Sequence, residues 1–172
     1  MLQQTNTRDY AKLNIHDLTK VVSVEFHKGI RETFATVNMN LEIAHKLEPY
    51  EEELEYAWAN LKSMEKKFEE HIRKEEQFLF PIFSVVKKRL RDNDREIDFK
   101  NFIDSLISDH RWLKKQMEQI RKVTNQYTCE PSNTPSHKLA YAQLNDLEQD
   151  FNKMFFVEEE FLFQRALKIH GK

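Results

Sequence analysis

The sequence is poor in residues that interrupt helices and in cysteine. Its 172 residues include two glycines and four prolines. β proteins need turn residues at short intervals, so this composition argues against a β fold and favours long helices. Cys129 is the single cysteine, which excludes an internal disulfide and a zinc site made of cysteine thiolates. We therefore expect an all-α protein.

The sequence also lacks a surplus of basic charge and a long apolar run. Lys and Arg number 27 and Asp and Glu number 29, for a net charge of -2. No basic face for phosphate is present, so nucleic acid is not an expected partner. No run of about eighteen apolar residues suggests a membrane span, and residues 1–10 have no apolar core typical of a signal peptide. We expect a cytoplasmic protein without a membrane partner, and homo-oligomer formation stays open.

Apolar residues recur at three- and four-residue spacing in four segments. Turn-forming residues separate the segments at residues 46–50, 91–94 and 127–136. The first stripe comprises Leu13, Val24, His27, Ile30, Phe34, Val37 and Leu41. The second comprises Leu54, Trp58, Leu61, Met64, Phe68, His71, Glu75, Phe78, Ile82 and Val85. The third comprises Phe99, Ile103, Leu106, His110, Leu113, Met117 and Ile120, and the fourth Ala140, Leu144, Leu147, Phe151, Met154, Glu158 and Phe161.

These stripes predict one domain, an up-down-up-down four-helix bundle, over residues 13–168. Residues 1–12 are expected to be a flexible N-terminus. Pro81 falls inside the second stripe and predicts a kink in that helix.

The chain contains an internal repeat. Residues 71–81, HIRKEEQFLFP, align without gaps on residues 154–164, MFFVEEEFLFQ, at an offset of 83, and five of the eleven positions match. The same offset carries His27 onto His110. The sequence therefore predicts two copies of one helical hairpin.

The repeat places several polar residues at one level of the bundle. His27 and His71 are 44 residues apart around residue 49, and His110 and Met154 are 44 apart around residue 132. Both midpoints fall in predicted turns, and residues equidistant from a turn lie level in antiparallel helices. Glu75 and Glu158 follow four residues after His71 and Met154, which places them on the same face one turn along, about 6 Å away.

This predicted layer has the chemistry of a metal site. A buried carboxylate is costly unless it is paired or binds a metal, and imidazole with carboxylate suits iron, manganese or zinc. A single histidine on a helix seam is more often a hydrogen-bonded core residue than a ligand, but His27, His71 and His110 share one level with two glutamates. His45 and His16 share the helical phase of His27, yet a straight helix places them ~27 Å and ~16 Å away. The motifs Phe78-Leu79-Phe80 and Phe161-Leu162-Phe163 are interpreted as core.

The motifs resemble a known family. Phe26-His27, His71-x-x-x-Glu75-Glu76 leading into Leu79-Phe80-Pro81, Asp109-His110, and Glu158 leading into Leu162-Phe163 are similar to the hemerythrin-like domain. Within that family they resemble bacterial iron-centre-repair di-iron proteins, over about residues 13–168. The resemblance implies a non-haem di-iron site that binds oxygen or nitric oxide, or that repairs iron–sulfur clusters under oxidative or nitrosative stress. It implies the metal ligands His27, His71, Glu75, His110 and Glu158.

The sequence departs from the family pattern at one ligand. Met154 stands where the family has His, and Gln164 where Pro would follow Phe163. A thioether is poorly matched to oxygen-bridged iron, so Met154 is expected to line the site and one metal position is weakened. A di-metal protein, a mononuclear iron or zinc site, and a bundle without metal that serves as a structural or interaction module all stay open. No catalytic residue or nucleotide-binding glycine motif is found, so an enzyme of the ferroxidase type has the least support.

Overall fold

The structure, a computed structural model, describes residues 9–85 and 99–170. These residues form helices, and no β-strand occurs among them. The first bundle helix joins α1 (Ile15–Val21), the π-helical segment π1 (Val22–His27) and α2 (Lys28–Leu47). The second joins α3 (Glu52–Lys74), π2 (Glu75–Leu79) and α4 (Phe80–Val85).

The second half repeats this plan with one difference. The third bundle helix is α5 (Phe99–Val123), which has no π-helical segment. The fourth joins α6 (Pro135–Val157), π3 (Glu158–Phe163) and α7 (Gln164–His170). Contacts run from α2 to α3, from α3 to α5, from α5 to α6, and from α6 back to α2. This closed ring confirms the predicted all-α four-helix bundle.

Two of the three predicted breaks separate helices in the structure. One lies between α2 and α3, and the other between α5 and α6, where the Thr134 side chain accepts a hydrogen bond from the His137 amide and Pro135 begins the helix. The break predicted at residues 91–94 lies outside the described residues, as do residues 1–8 of the predicted N-terminal segment. Tyr10–Lys12 form a 3₁₀ turn, and Arg165 donates hydrogen bonds to the carbonyls of Tyr10 and Ala11.

The π-helical segments shift the buried face of their helices. Each inserts one residue into a turn, and one residue corresponds to about 100° of rotation. Val24 in π1 and Phe78 in π2 are 54% and 56% exposed, although the sequence predicted both in the core. In π2 the residue buried instead is Leu79. The π2 segment also leads into Pro81, and the helix continues through this proline as α4.

Three phenylalanines fill the middle of the bundle. Phe34, Phe68 and Phe151 are almost fully buried, with ring centroids 5.6 to 5.9 Å apart. Phe68 and Phe151 occupy equivalent positions of the repeat, so the two hairpins meet through matching side chains. Burial of one such ring contributes about 2–3 kcal/mol to stability.

Among residues 9–85 and 99–170, no helix combines the length and the hydrophobicity that crossing a bilayer requires.

Candidate metal centre

The five residues expected as ligands meet inside the bundle. His27 is the last residue of π1, Glu75 is the first of π2 and Glu158 is the first of π3. His71 lies in α3 and His110 in α5. All five side chains have no exposed surface. The three π-helical segments therefore begin or end on candidate ligands, as π-helical turns at functional sites often do.

Three donor atoms form one group, which we call the His71 group: His71 Nε2, His110 Nε2 and Glu158 Oε2. The two nitrogens lie 3.1 Å apart, and the glutamate oxygen is 3.0 Å from His110 and 3.9 Å from His71. A point equidistant from these three atoms lies about 2.0 Å from each, which is close to the bond lengths of ~2.0–2.2 Å between zinc and His or Glu ligands. The group has the dimensions of a cation site.

A second group, the His27 group, consists of His27, Glu75 and Glu158. His27 Nε2 lies 3.0 Å from Glu75 Oε2 and 3.6 Å from Glu158 Oε1. Its donor atoms lie within 4.8 Å of one another, as do those of the His71 group. Glu158 belongs to both groups and faces them with different oxygens. It is therefore placed to bridge two cations.

Several buried polar atoms of this centre accept no hydrogen bond from any described residue. They are Glu75 Oε1 and both carboxylate oxygens of Glu158. Glu158 Oε2 is within ion-pair distance of His110, but the contact lacks hydrogen-bond geometry. Leaving such atoms unsatisfied costs about 1–3 kcal/mol each, and more when they are charged. A bound cation would satisfy them, so the residues present fit a metal.

Outer carboxylates orient two of the imidazoles. His27 donates from Nδ1 to Glu76 at 2.9 Å, and His110 donates from Nδ1 to Glu159 at 2.8 Å. These bonds fix each ring so that Nε2 faces the interior, an arrangement common for metal-binding histidines. The sequence repeat points to both hydrogen-bonding carboxylates, because Glu76 and Glu159 are one of its five matching pairs. Neither glutamate is among the ligands predicted from the sequence.

His71 has a different neighbour on its outer side. Its Nδ1 lies 3.6 Å from Asp109 Oδ2, beyond hydrogen-bond distance. Lys67 and Lys74 hold that carboxylate at 2.6 and 2.7 Å. Burial works against ionisation of Asp109, but His71 and the two lysines lower the pKa of Asp109 below its usual value. Asp109 therefore carries a charge that faces His71.

The carboxylates favour protonated imidazoles when no cation is bound. Burial disfavours the charged form of His27, but Glu158 and Glu75 outweigh it and hold the pKa of His27 well above 6.5. Burial likewise opposes charge on His71, yet neighbouring Glu75, Asp109 and Glu158 raise its pKa to about 9. Since a metal binds only the neutral imidazole, binding must displace these protons.

The charge of Glu158 depends on the same imidazoles. Burial would raise its pKa, but the surrounding histidines, His110 first among them, lower the pKa of Glu158 well below 4.5. The carboxylate shared by the two groups is therefore ionised and available to a cation.

Aromatic rings cover the imidazoles. Phe80 stacks on His27 with centroids 5.9 Å apart, and Phe163, its repeat equivalent, stacks on His110 at 5.6 Å. Phe155 lies closer to His110, at 4.1 Å. These rings exclude water from the donor atoms. The core interpretation of the two Phe-Leu-Phe motifs holds for Leu79, Leu162 and Phe163, which have no exposed surface. It is wrong for Phe78, which is 56% exposed.

Met154 lies in α6, one turn before Glu158, and its side chain is fully buried in the core of the bundle. The repeat relates His71 to Met154 and His110 to His27. The His71 group thus has two imidazoles, from His71 and His110. The repeat-equivalent positions hold only one imidazole, that of His27, because the other position is Met154. The His27 group has one imidazole, and the centre is asymmetric.

Three other histidines of the described residues lie outside the centre. His16 is exposed, and His45 lies against Glu55 and the ring of Trp58. His137, which is not among the predicted ligands, is 2% exposed and lies in a separate cluster with Glu48 and Glu51.

An antiparallel bundle with buried imidazoles and carboxylates, grouped at cation-binding distances around a shared glutamate, defines the class of cation-binding four-helix proteins. The sequence matches the family model "Hemerythrin HHE cation binding domain" over residues 23–166. The chain belongs to this hemerythrin family, which confirms the resemblance drawn from its motifs. A search of curated proteins gave no match.

Proposed function

We propose that the protein holds non-haem iron at this centre and uses it to bind oxygen or nitric oxide, or to handle iron for damaged iron centres under oxidative or nitrosative stress. The observation that carries the proposal is the His71 group, whose three donor atoms surround one point at metal-bonding distance inside a sealed core. Iron is the metal that the hemerythrin family ordinarily binds. Iron held by His71, His110 and Glu158 would supply redox activity and affinity for a small ligand such as oxygen or nitric oxide.

The residues of this chain have separable roles in the proposal. His71, His110 and Glu158 hold the first cation, and Glu159 keeps His110 in the tautomer that presents Nε2. Phe155 and Phe163 stack on His110 and exclude water from the donor atoms. These roles require no other protein group as acid, base or nucleophile.

The His27 group is the weaker of the two cation sites. It offers one imidazole and the carboxylates of Glu75 and Glu158, and the buried thioether of Met154 does not replace the missing imidazole for iron. We propose that the His71 group fills first and that the His27 group fills only at higher metal concentration. This asymmetry supports a single tightly bound iron in place of the two that the family pattern implies.

Metal analysis with optical spectroscopy tests the proposal. Protein purified anaerobically from iron-replete cells should contain about one iron per chain, and His110→Ala should lose it. His16→Ala is the matched control, because His16 is exposed and outside both groups. Wild-type protein without metal under these conditions would overturn the proposal and support the structural-module alternative.

Gas addition separates the two proposed uses. A change in the optical spectrum of the reduced iron protein on addition of nitric oxide or oxygen supports ligand binding. Bound iron that responds to neither gas and does not transfer to an apo iron–sulfur protein contradicts both uses. Bound iron that responds to neither gas and transfers to an apo iron–sulfur protein supports iron handling.

A further inference from the structure

We propose a second cation site at the loop end of the bundle, formed by His137 Nε2 and Glu51, with Glu48 as the outer carboxylate on His137 Nδ1 and with the ligand chemistry of a divalent transition metal such as Zn²⁺. This site is distinct from the centre in the core and does not depend on the function proposed for that centre.

The three side chains converge because three helix ends meet there. Glu48 follows the last residue of α2, Glu51 precedes the first residue of α3, and His137 lies in the first turn of α6. Each offers a ligand atom within 4.8 Å of the others. The chain thus brings together one imidazole and two carboxylates, a donor set that zinc accepts.

Glu48 is held rigidly in this cluster. One of its oxygens accepts a hydrogen bond from the Thr134 amide at 2.6 Å. The other accepts from Asn133 Nδ2 at 3.0 Å and from His137 Nδ1 at 2.7 Å. Glu48 therefore holds the His137 ring from its Nδ1 side, as an outer carboxylate, and leaves Nε2 for a cation. The site is therefore pre-organised by the contact between the end of α2 and the start of α6.

His137 provides an independent indication of a ligand. Its side chain is 2% exposed, and its Nε2 atom is buried without a hydrogen-bond partner among the described residues. The bond from Nδ1 to Glu48 leaves Nε2 as the atom with a free lone pair. A carboxylate bound to one imidazole nitrogen while the other nitrogen binds metal is the usual outer arrangement of zinc histidines. The unsatisfied nitrogen is explained if it binds a cation.

The surroundings of His137 offer space for a cation. The residue lines a cavity of about 250 Å³, together with Glu51, Glu53, Glu130 and Asn133. This is larger than the ~30 Å³ that a water molecule occupies in the liquid, so a cation could keep water among its ligands.

The charge of this cavity favours a cation. Three glutamates line it, and no Lys or Arg is found among its lining residues in the described part of the chain. Burial and the charges of Glu51 and Glu53 raise the pKa of the nearby Tyr141 hydroxyl. Two helices begin and two end at this end of the bundle, so their dipoles largely offset one another. The acidic side chains therefore dominate the local potential.

Zinc binding to a matched pair of variants tests the site. Wild-type protein, with its core loaded with iron, is dialysed against buffered Zn²⁺ and compared with Glu51→Gln and Glu52→Gln. Glu51 makes no side-chain cap to α3, so its substitution should not unfold the helix. Glu52 is the adjacent exposed residue and serves as the control.

We expect wild type and Glu52→Gln to bind one Zn²⁺ more per chain than Glu51→Gln, or to bind it at least tenfold more tightly. Equal stoichiometry and affinity in all three proteins would overturn the proposal. If Glu51→Gln loses its helical circular dichroism, anomalous scattering from zinc-soaked crystals of the wild-type protein decides. A peak beside His137 supports the site, and a zinc-soaked crystal without that peak contradicts it. Loss of core metal in His110→Ala should leave the loop-end zinc in place, so the two sites fail independently.

Discussion

His110 donates its Nδ1 hydrogen to Glu159 over 2.8 Å, and the contact recurs one repeat earlier between His27 and Glu76 at 2.9 Å. In both cases the partners are 49 residues apart in the sequence. The repeat therefore preserves the outer hydrogen bonds of the centre as well as its candidate ligands. Met154 departs from the repeat among the candidate ligands and leaves these outer hydrogen bonds unchanged.

This relationship predicts that Glu159 controls metal affinity without touching the metal. Glu159→Ala should weaken iron or zinc binding about 10- to 100-fold, because His110 loses the carboxylate that orients it and raises its basicity. Competition with a chromophoric chelator measures the affinity. Glu160→Ala is the control, since Glu160 is the next residue along π3 and is exposed. An equal effect of the two substitutions would refute this role for Glu159.

Met154 limits the second cation site. Met154→His should restore the missing imidazole beside the His27 group, and the bound iron should rise from about one to about two per chain. Metal analysis measures the ratio, and the optical spectrum reports whether the two ions interact. Met154→Leu keeps an apolar side chain of similar volume and should remain at the wild-type ratio. An unchanged ratio in Met154→His would show that the thioether does not limit occupancy.

The repeat explains why so much of the centre could be predicted from the sequence. An offset of 83 residues without gaps, together with turns at the two midpoints, specifies which side chains share a level. It predicts that His27, His71 and His110 share one layer, and all three are buried together in the structure. The hydrophobic spacing likewise predicted the buried face of α5, where the helix is regular from Phe99 to Val123.

The errors have one physical cause. A spacing of 3.6 residues per turn does not hold across a π-helical segment, so the predicted stripe leaves the true core face there. Val24 and Phe78 were assigned to the core for this reason and are exposed. Contacts between distant segments, such as Glu48 with His137, have no periodic pattern in the sequence. They could not be predicted without the fold.

The phenylalanine cluster should carry much of the stability of the metal-free bundle. Phe151 contacts both Phe34 and Phe68, so Phe151→Ala removes a ring and leaves a cavity in the core. The free energy of unfolding should fall by about 3–5 kcal/mol. Urea unfolding in the presence of a chelator measures it. Phe156→Ala is the matched control because Phe156 is 56% exposed, and it should change stability by less than about 0.5 kcal/mol.

The Glu48 cluster should make stability depend on pH in the acid range. Burial opposes ionisation of Glu48, but hydrogen bonds from Thr134, His137 and Asn133 lower its pKa from 4.5 to about 2. The unfolded chain loses these bonds, so its Glu48 titrates near the ordinary value. Above pH 4.5 the carboxylate is ionised in both states and its stabilisation is complete, at most about 3 kcal/mol. Between pH 4.5 and pH 2 the unfolded state takes up the proton first, and the stabilisation is lost as the pH falls.

Glu48→Gln should therefore be less stable than wild type at pH 7, and the difference between the two proteins should shrink as the pH falls from 4.5 towards 2. Other carboxylates, including Asp109 and Glu158, titrate equally in both proteins, so the difference isolates the contribution of Glu48. Urea unfolding in EDTA at a series of pH values gives both curves without a contribution from bound metal. Glu52→Gln changes an exposed position, so its free energy of unfolding should differ from that of wild type by the same amount at every pH. A constant difference between Glu48→Gln and wild type from pH 7 to pH 3 would mean that the cluster acts through packing alone and that the Glu48 charge contributes nothing to folding.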